Sequence, residues 1–291
     1  MLALAMRYEA PESVEGAVTL LARANGDARV LAGGTDLLVQ IRSDLLEPEL
    51  IVDIKRIPAT RAISPEGGGW RIGAAVTGAE LAEHPALRRT WPGVVEAANL
   101  IGSTQIQGRA TLGGNLGNGS PAADSVPALV AAGAVATVAG PAGSRDLPVE
   151  DVMLGPRKLA LAKGEFIVSF RLPPRPPGSG DAYLRFIPRT EMDIAVVGAG
   201  VSLTVDVGGV VTAARVSLGA VAERVLLVPE AARAITGSPL DGPAQARLEA
   251  AARSACRPID DKRGTREFRT TVAGVLARRA ALIALGRARA A

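Results

Sequence analysis

The sequence predicts an α+β chain: a two-part region over residues 1–175, divided near residue 57, then a smaller α+β domain over 181–291 with an antiparallel sheet and C-terminal helices. Three observations predict it. The first 54 residues read as β-α-β-α-β in miniature. The run PPRPPGSG at 173–180 allows neither helix nor sheet interior, and a domain boundary belongs there. Beyond it, apolar alternating runs come first and helical periodicity second, the order expected of an α+β layer.

In order, residues 6–9 form a strand candidate, and Ser13 is placed to N-cap a helix in which Val14, Ala17, Val18, Leu21 and Ala22 recur at helical spacing. Asn25-Gly26-Asp27 ends it. Residues 29–32 are a short strand running into the glycine stretch LAGGTDL, 36–42 resume as helix, and 50–54 return as strand. Gly67-Gly68-Gly69 reads as a hairpin tip before a strand at 70–74. Thr77 caps a helix at 78–83, Pro85 opens another, and 94–101 is an Ala-rich helix leading to the second glycine stretch, TLGGNLGNGSPAADS. Pro121 closes that stretch as a turn, 124–132 is a buried helix, and 134–139 and 164–172 are strands. After the break come strands at 182–187, 194–205 and 210–218, with Gly208-Gly209 as a hairpin turn, then helices at 230–235, 243–255 and 263–287.

The two glycine stretches carry the chemistry. Without a Cβ the backbone reaches φ > 0 and lets its amides approach a ligand, and successive exposed N–H groups form an anion-binding concavity. The first stretch lies at a strand-to-helix junction, where a helix start adds partial positive charge. Thr35 and Asp36 follow the first glycines; Asn115, Ser120 and Asp124 follow the second. That pattern suits a phosphorylated cofactor with sugar hydroxyls, Asp124 being a candidate acceptor. The spacing is not G-x-G-x-x-G, so a nicotinamide-binding Rossmann reading is poorly supported.

Composition narrows the field. Aromatic residues are 3% of the chain, too few for a surface built on base stacking. The net charge of +4 comes from an Arg excess at 253–289, interleaved with Ala and Leu and read as a solvated helix face; a partner surface or nucleic-acid binding is the sharper alternative. One cysteine, Cys256, and one histidine, His84, cannot build a zinc or iron–sulfur site, and no internal disulfide can form. Cys256 reads as helix packing, His84 as an exposed loop residue, and Asp260-Asp261 with Lys262-Arg263 as a capping and ion-pair cluster. Residues 1–12 show no basic start and no long apolar core, so neither a leader nor a membrane span is expected, and the expected compartment is cytoplasmic.

With AGGTDLL (32–38), IGSTQIQGRATLGGN (101–115), SPAADSVPAL (120–129), RTEMDIAVV (189–197) and DDKRGT (260–265) in view, the chain resembles the FAD-binding medium subunit of the xanthine dehydrogenase and carbon monoxide dehydrogenase family of molybdenum hydroxylases. The resemblance covers nearly the whole chain. It implies a two-part, PCMH-type FAD-binding region and a C-terminal flavoprotein domain. It implies non-covalent FAD, with a molybdenum cofactor and [2Fe-2S] clusters on partner subunits only: a large molybdenum subunit and a small iron–sulfur subunit. It implies a redox role, in which electrons from the iron–sulfur centres pass through FAD to an external acceptor, in a heterotrimer without catalytic side chains of its own. An FAD-binding sensor or scaffold without turnover is the alternative.

Residue by residue, the resemblance carries over Leu31, Ala32, Gly33, Gly34, Thr35, Asp36 and Leu37 as the pyrophosphate loop. It carries Thr111, Gly114, Asn115 and Gly117 as second-loop contacts and Ala123 and Asp124 beside the nucleotide. Ile101 and Gly102 fall near the adenosine or flavin, Val168 and the basic Arg185 by the cofactor, and Asp193-Ile194 along the isoalloxazine. Gly117 stands where many relatives have Cys, and Gly119 where Ala is common.

Overall fold

The computed structural model describes residues 6–291; of the stretch read above as lacking a leader, residues 1–5 lie outside the described residues. The first subdomain follows the β-α-β-α-β reading. It contains β1 (Arg7–Glu9), α1 (Val14–Arg23), β2 (Ala28–Leu31), α2 (Leu37–Arg42) and β3 (Leu50–Asp53). The three strands form a parallel sheet in the order β1-β3-β2. β3 is central and buried at every residue, as a strand covered on both faces must be. Ser13 Oγ accepts the Gly16 N–H at 3.0 Å and starts α1, which buries Ala17 and Leu21.

The second subdomain runs through α3 (Pro58–Arg61), β4 (Ile63–Glu66), β5 (Gly69–Gly73), α4 (Gly78–Glu83), α5 (Pro85–Thr90), α6 (Pro92–Ala98), α7 (Thr104–Gln107), α8 (Leu112–Gly117) and α9 (Ser125–Ala132). It ends with β6 (Val135–Gly140), β7 (Gly143–Pro148), α10 (Val149–Val152), β8 (Met153–Gly155), β9 (Lys158–Leu159) and β10 (Phe166–Leu172). An antiparallel sheet of order β4-β5-β10-β6-β7 forms its floor, with Phe166 and Phe170 fully buried beneath the helices. Each such phenyl ring contributes about 2–3 kcal/mol by leaving water. Gly67 and Gly68 turn the β4–β5 hairpin at φ +57° and +80°. Thr77 and Glu80 cap α4 reciprocally.

Four local readings change. The helix expected at 94–101 ends at Ala98, with a separate turn, α7, beyond it. His84 is a half-buried cap rather than an exposed loop residue: its Nδ1 accepts the Leu87 N–H at 3.1 Å, and its ring meets Trp70 edge-on. The second glycine stretch coils into α8, with Thr111 as its N-cap. The hairpin β8–β9 and the edge strand β7 were not anticipated: β8 and β9 are too short for a pattern, and β7, GSRDLP, has no apolar alternation.

The C-terminal region comprises β11 (Ser179–Phe186), β12 (Val197–Val205), β13 (Val211–Gly219), β14 (Leu226–Leu227), α11 (Pro229–Ile235), α12 (Gly242–Ala255) and α13 (Arg266–Ala290). The strands pair antiparallel in sequence order. Helix α13 packs along β11 and β12. β11 begins at Ser179 and so takes the last two residues of the Pro/Gly run. Gly180 belongs there because a Cβ on it would sit 1.9 Å from the Ala284 carbonyl oxygen of α13. Cys256 is buried at the end of α12, its thiol donating to the Ala252 carbonyl at 3.2 Å, and burial pushes its pKa up to about 11.

The two regions share α9, whose every residue is buried. It lies across β12 and β13, where a Cβ on Gly200 would meet Pro127 O at 2.5 Å and one on Gly219 would meet Pro127 Cγ at 2.7 Å. Arginines tie the seam. Arg215 donates to Val130 O at 3.0 Å and to Glu150 at 2.7 Å. Arg175 pairs with Asp181 at 2.8 Å, and the other oxygen of Asp181 accepts the Gly93 N–H at 2.8 Å. Arg287 donates to Asp181 O at 2.8 Å and pairs with Glu96. The C-terminal Arg excess is therefore not one solvated face: Arg269 is buried against Asp261 at 2.7 Å, and Arg253 and Arg278 share Glu249.

Candidate functional site

The two glycine bends meet. A Cβ on Gly114 would lie 3.9 Å from both the Gly33 amide nitrogen and the Ala32 Cβ, and one on Gly33 would fall 2.1 Å from the Arg109 carbonyl oxygen. The first bend thus rests on the residues that lead into the second. Lys55 fixes it from behind, donating to Ala32 O at 3.0 Å while pairing with Asp53 at 2.8 Å. Burial opposes the Asp53 charge, yet hydrogen bonds from Lys55 and Tyr8 hold its carboxyl below the usual range. The second bend is fixed by Gly113, whose N–H donates to Ala74 O at 3.0 Å, and by Thr111 Oγ1, which accepts the Gly114 N–H at 3.0 Å. Across the opening, Gln40 Nε2 donates to Asn118 Oδ1 at 2.9 Å and joins α2 to the end of α8.

Between the bends lies a cleft of about 320 Å³. Its floor is the backbone of Gly33 to Leu37. Among the described residues, the N–H groups of Gly33, Gly34, Thr35, Asp36 and Leu37 donate to no protein acceptor. Gly34 turns at φ +79° to line them up. Five consecutive undonated amides form a concave anion cradle. Asn115 adds a side-chain donor: its Oδ1 accepts from Ser125 N at 3.0 Å and Ser125 Oγ at 2.7 Å, which leaves the NH2 for a ligand. The walls desolvate Asp36 and raise its carboxyl pKa, although the residue keeps part of its surface in solvent.

Of the residues singled out in the sequence, Ala32, Gly33, Gly34, Thr35, Asp36, Leu37, Ile101, Thr111, Gly114, Asn115 and Gly117 line this one cleft. The remainder lie elsewhere. Leu31 and Val168 are buried in β2 and β10, and Ala123 is buried ahead of α9. Gly102 turns at φ +65° beside Ile106, and Ile194 is 53% exposed in the loop before β12. Asp124 is held by Arg185 at 2.9 Å in the seam between the two regions. Sequence reasoning missed a third wall: Arg157, Leu159, Leu161 and residues 165–167, together with Gln40 and Asn118. The wall depends on the β8–β9 hairpin, which had no pattern to read; Asn118 was visible as a polar residue inside the second glycine stretch.

The fit to a dinucleotide is tested by what the fold leaves unpaired. Asp124 Oδ1 and Tyr183 Oη, buried outside the cleft, face each other, but the five amides and the Asn115 NH2 have no hydrogen-bond partner among the described residues. Such groups in a native fold call for a ligand or water. The acceptor oxygens of a diphosphate fit these donors. Burial pushes the Asp124 carboxyl up to about 6, against the pull of the Arg185 guanidinium. A raised folded-state pKa means the folded chain binds the proton more tightly than the unfolded one. The chain without ligand should therefore gain about 1 kcal/mol from this group as pH falls from 7 to 5. Below pH 4 it should lose stability, as Asp53 and Glu165, whose carboxyls are held low, become protonated. Urea titrations of the chain without ligand from pH 8 down to about pH 2 check both limbs; a flat profile from 7 to 5 contradicts the first.

Facing glycine bends over an open amide row, on a two-part scaffold with an appended α+β layer, define a protein that binds a diphosphate-bearing cofactor. The family described as "FAD binding domain in molybdopterin dehydrogenase" matches residues 4–175, and that described as "CO dehydrogenase flavoprotein C-terminal domain" matches 182–284. The chain belongs to this family of FAD-binding chains of molybdenum hydroxylases. It is 36% identical to the carbon monoxide dehydrogenase medium chain of Afipia carboxidovorans, over 97% of each chain. It is 32% identical to the putative xanthine dehydrogenase FAD-binding subunit of Escherichia coli (strain K12), over 90% of each. A solved structure of the Hydrogenophaga pseudoflava carbon monoxide dehydrogenase, described as lacking the Mo-pyranopterin moiety of its molybdenum cofactor, superposes with a TM-score of 0.93 at 34% identity, covering 99% of each chain. These relatives are subunits of oxidoreductase complexes. Among the described residues no helix is long and apolar enough to cross a membrane.

Proposed function

We propose that this chain is the electron-transfer subunit of a molybdenum hydroxylase complex: it holds the FAD through which electrons pass from iron–sulfur centres of a small partner chain to an external acceptor. A large partner chain would carry the molybdenum cofactor. The cytoplasmic placement belongs to the same proposal. The observation that carries it is the row of free amides from Gly33 to Leu37 facing the second glycine bend. The names of the relatives support the subunit reading.

FAD, when bound, supplies the redox chemistry. The chain's residues bind and orient. The amides of 33–37 and the Asn115 NH2 take the diphosphate oxygens, and Ala32, Ile101 and Leu37 exclude water from the cleft. No acid–base dyad is required of the chain, because it moves no proton of the hydroxylated substrate. Domains 1–175 and 181–291 then divide the work, the first holding the nucleotide and the second closing over Asp124 through Arg185.

The chain stripped of flavin should recover a bound-flavin spectrum with FAD at one per chain. Gly114→Val should lower occupancy at least about tenfold, because its side chain grows toward the Gly33 amide, while circular dichroism stays that of the parent. A parent chain that never takes up FAD contradicts the proposal; unchanged occupancy in Gly114→Val contradicts the placement of the second bend.

A further inference from the structure

The third wall of the cleft holds a residue in an unfavourable conformation. The β8–β9 hairpin turns on Pro156-Arg157, with Gly155 and Lys158 paired across it. Proline presets the first turn position; the second needs φ > 0 and favours glycine. Here it is Arg157, at φ +58°. A non-glycine residue held there costs of order 1 kcal/mol or more, and such strain gathers at ligand sites.

The surroundings hold the turn in place. The Arg157 N–H donates to Gly119 O at 2.8 Å, and a Cβ on Gly119 would lie 2.9 Å from the Arg157 Cα. The hairpin tip is therefore pinned to the segment just beyond α8. Glycine at 119, noted above as a departure from relatives, is what lets the two backbones touch.

Arg157 also differs from the cleft's other cation in having no partner for its charge among the described residues. Four charged residues line it: Arg29, Asp36, Arg157 and Glu165. Arg29 is engaged by Asp27 at 2.8 Å, and Glu165 by Arg145 at 2.8 Å. Arg157 has no ion pair and no side-chain hydrogen bond among the described residues, so it is the cleft's one uncommitted cation. The amide row contains Asp36, whose carboxylate repels an anion. A dianionic ligand over that row needs a counter-charge, and the strained turn presents one.

We infer that Arg157, held beside the end of the second glycine stretch, binds the diphosphate of the flavin nucleotide. The inference rests on the FAD reading and adds a residue to it: the chain would select nucleotide-bearing flavin over riboflavin partly through this guanidinium, because its planar fork pairs bidentately with phosphate oxygens, which riboflavin lacks.

The test uses the full chain stripped of flavin, titrated separately with FAD, ADP and riboflavin, in the parent and in Arg157→Gly, Arg157→Ala and Arg157→Lys. Arg157→Gly removes both the charge and the strain, so its Tm should equal or exceed the parent's, which separates binding from folding. Expected are losses of roughly 10- to 100-fold in FAD and ADP affinity for the Gly and Ala variants, with riboflavin unchanged and partial recovery in Lys. The salt dependence of FAD affinity should also become shallower. FAD and ADP affinities within twofold of the parent in Arg157→Gly would overturn the inference, as would an equal loss for riboflavin. A parent that binds neither FAD nor ADP would instead overturn the flavoprotein reading itself.

Discussion

Gly33→Ala should cost the chain its flavin. A Cβ at that position would lie 2.1 Å from the Arg109 carbonyl oxygen and 2.9 Å from its carbon, both backbone atoms that no rotamer change can move aside. The first bend must back away from the turn that feeds the second, and the amide row rotates with it. Overpacking of this kind costs about 3 kcal/mol of stability. Losing the alignment of two or three N–H donors weakens diphosphate binding by about a hundredfold. Urea unfolding and FAD titration of the same preparation measure both. The variant differs from Gly114→Val in that fold and ligand should suffer together, because Gly33 is where the bends press on each other.

Gly180→Ala should have the largest effect on the C-terminal domain. Its Cβ would fall 1.9 Å from Ala284 O and 2.6 Å from Ala288 N, so β11 would have to lift off α13. Helix α13 packs along β11 and β12, and its alanines at 273, 277, 280, 281 and 284 are fully buried. A loss of about 3 kcal/mol or more is expected, seen as a lower urea midpoint. Because Asp181, one residue on, anchors Arg175, Arg287 and the Gly93 N–H, the seam should loosen too. Proteolysis should then cut within 173–180 faster than in the parent. A variant as stable as the parent contradicts the close packing of β11 on α13.

Both residues show what the sequence could and could not tell. Gly33 and Gly114 were legible because glycine there serves the ligand and sits in a recognisable run. Ser13 and Thr77 were legible because a cap is decided within four residues. Gly180 was misread as part of a break, since the reason for it, the backbone of α13, lies about a hundred residues away. The third wall of the cleft was invisible for a related cause: β8 and β9 are held by pairing and by Gly119, not by their own propensity. The arginines near the C-terminus looked like one solvated face, yet Arg269 and Arg287 have their partners at Asp261 and Glu96, which only the tertiary fold brings near. Asp124 and Arg185 could be singled out separately, but not as a pair.

The central claim is that the free main-chain N–H row of the first bend, Gly33 to Leu37, with the Asn115 amide and the Arg157 guanidinium beside it, holds the cofactor's diphosphate. Amide hydrogen exchange of the full chain, with and without saturating FAD, tests it most directly. The account predicts that FAD slows exchange at 33–37, where the N–H groups have no protein acceptor, and that ADP does the same. FAD bound at full stoichiometry while those amides exchange at the rate of the unliganded chain would contradict it.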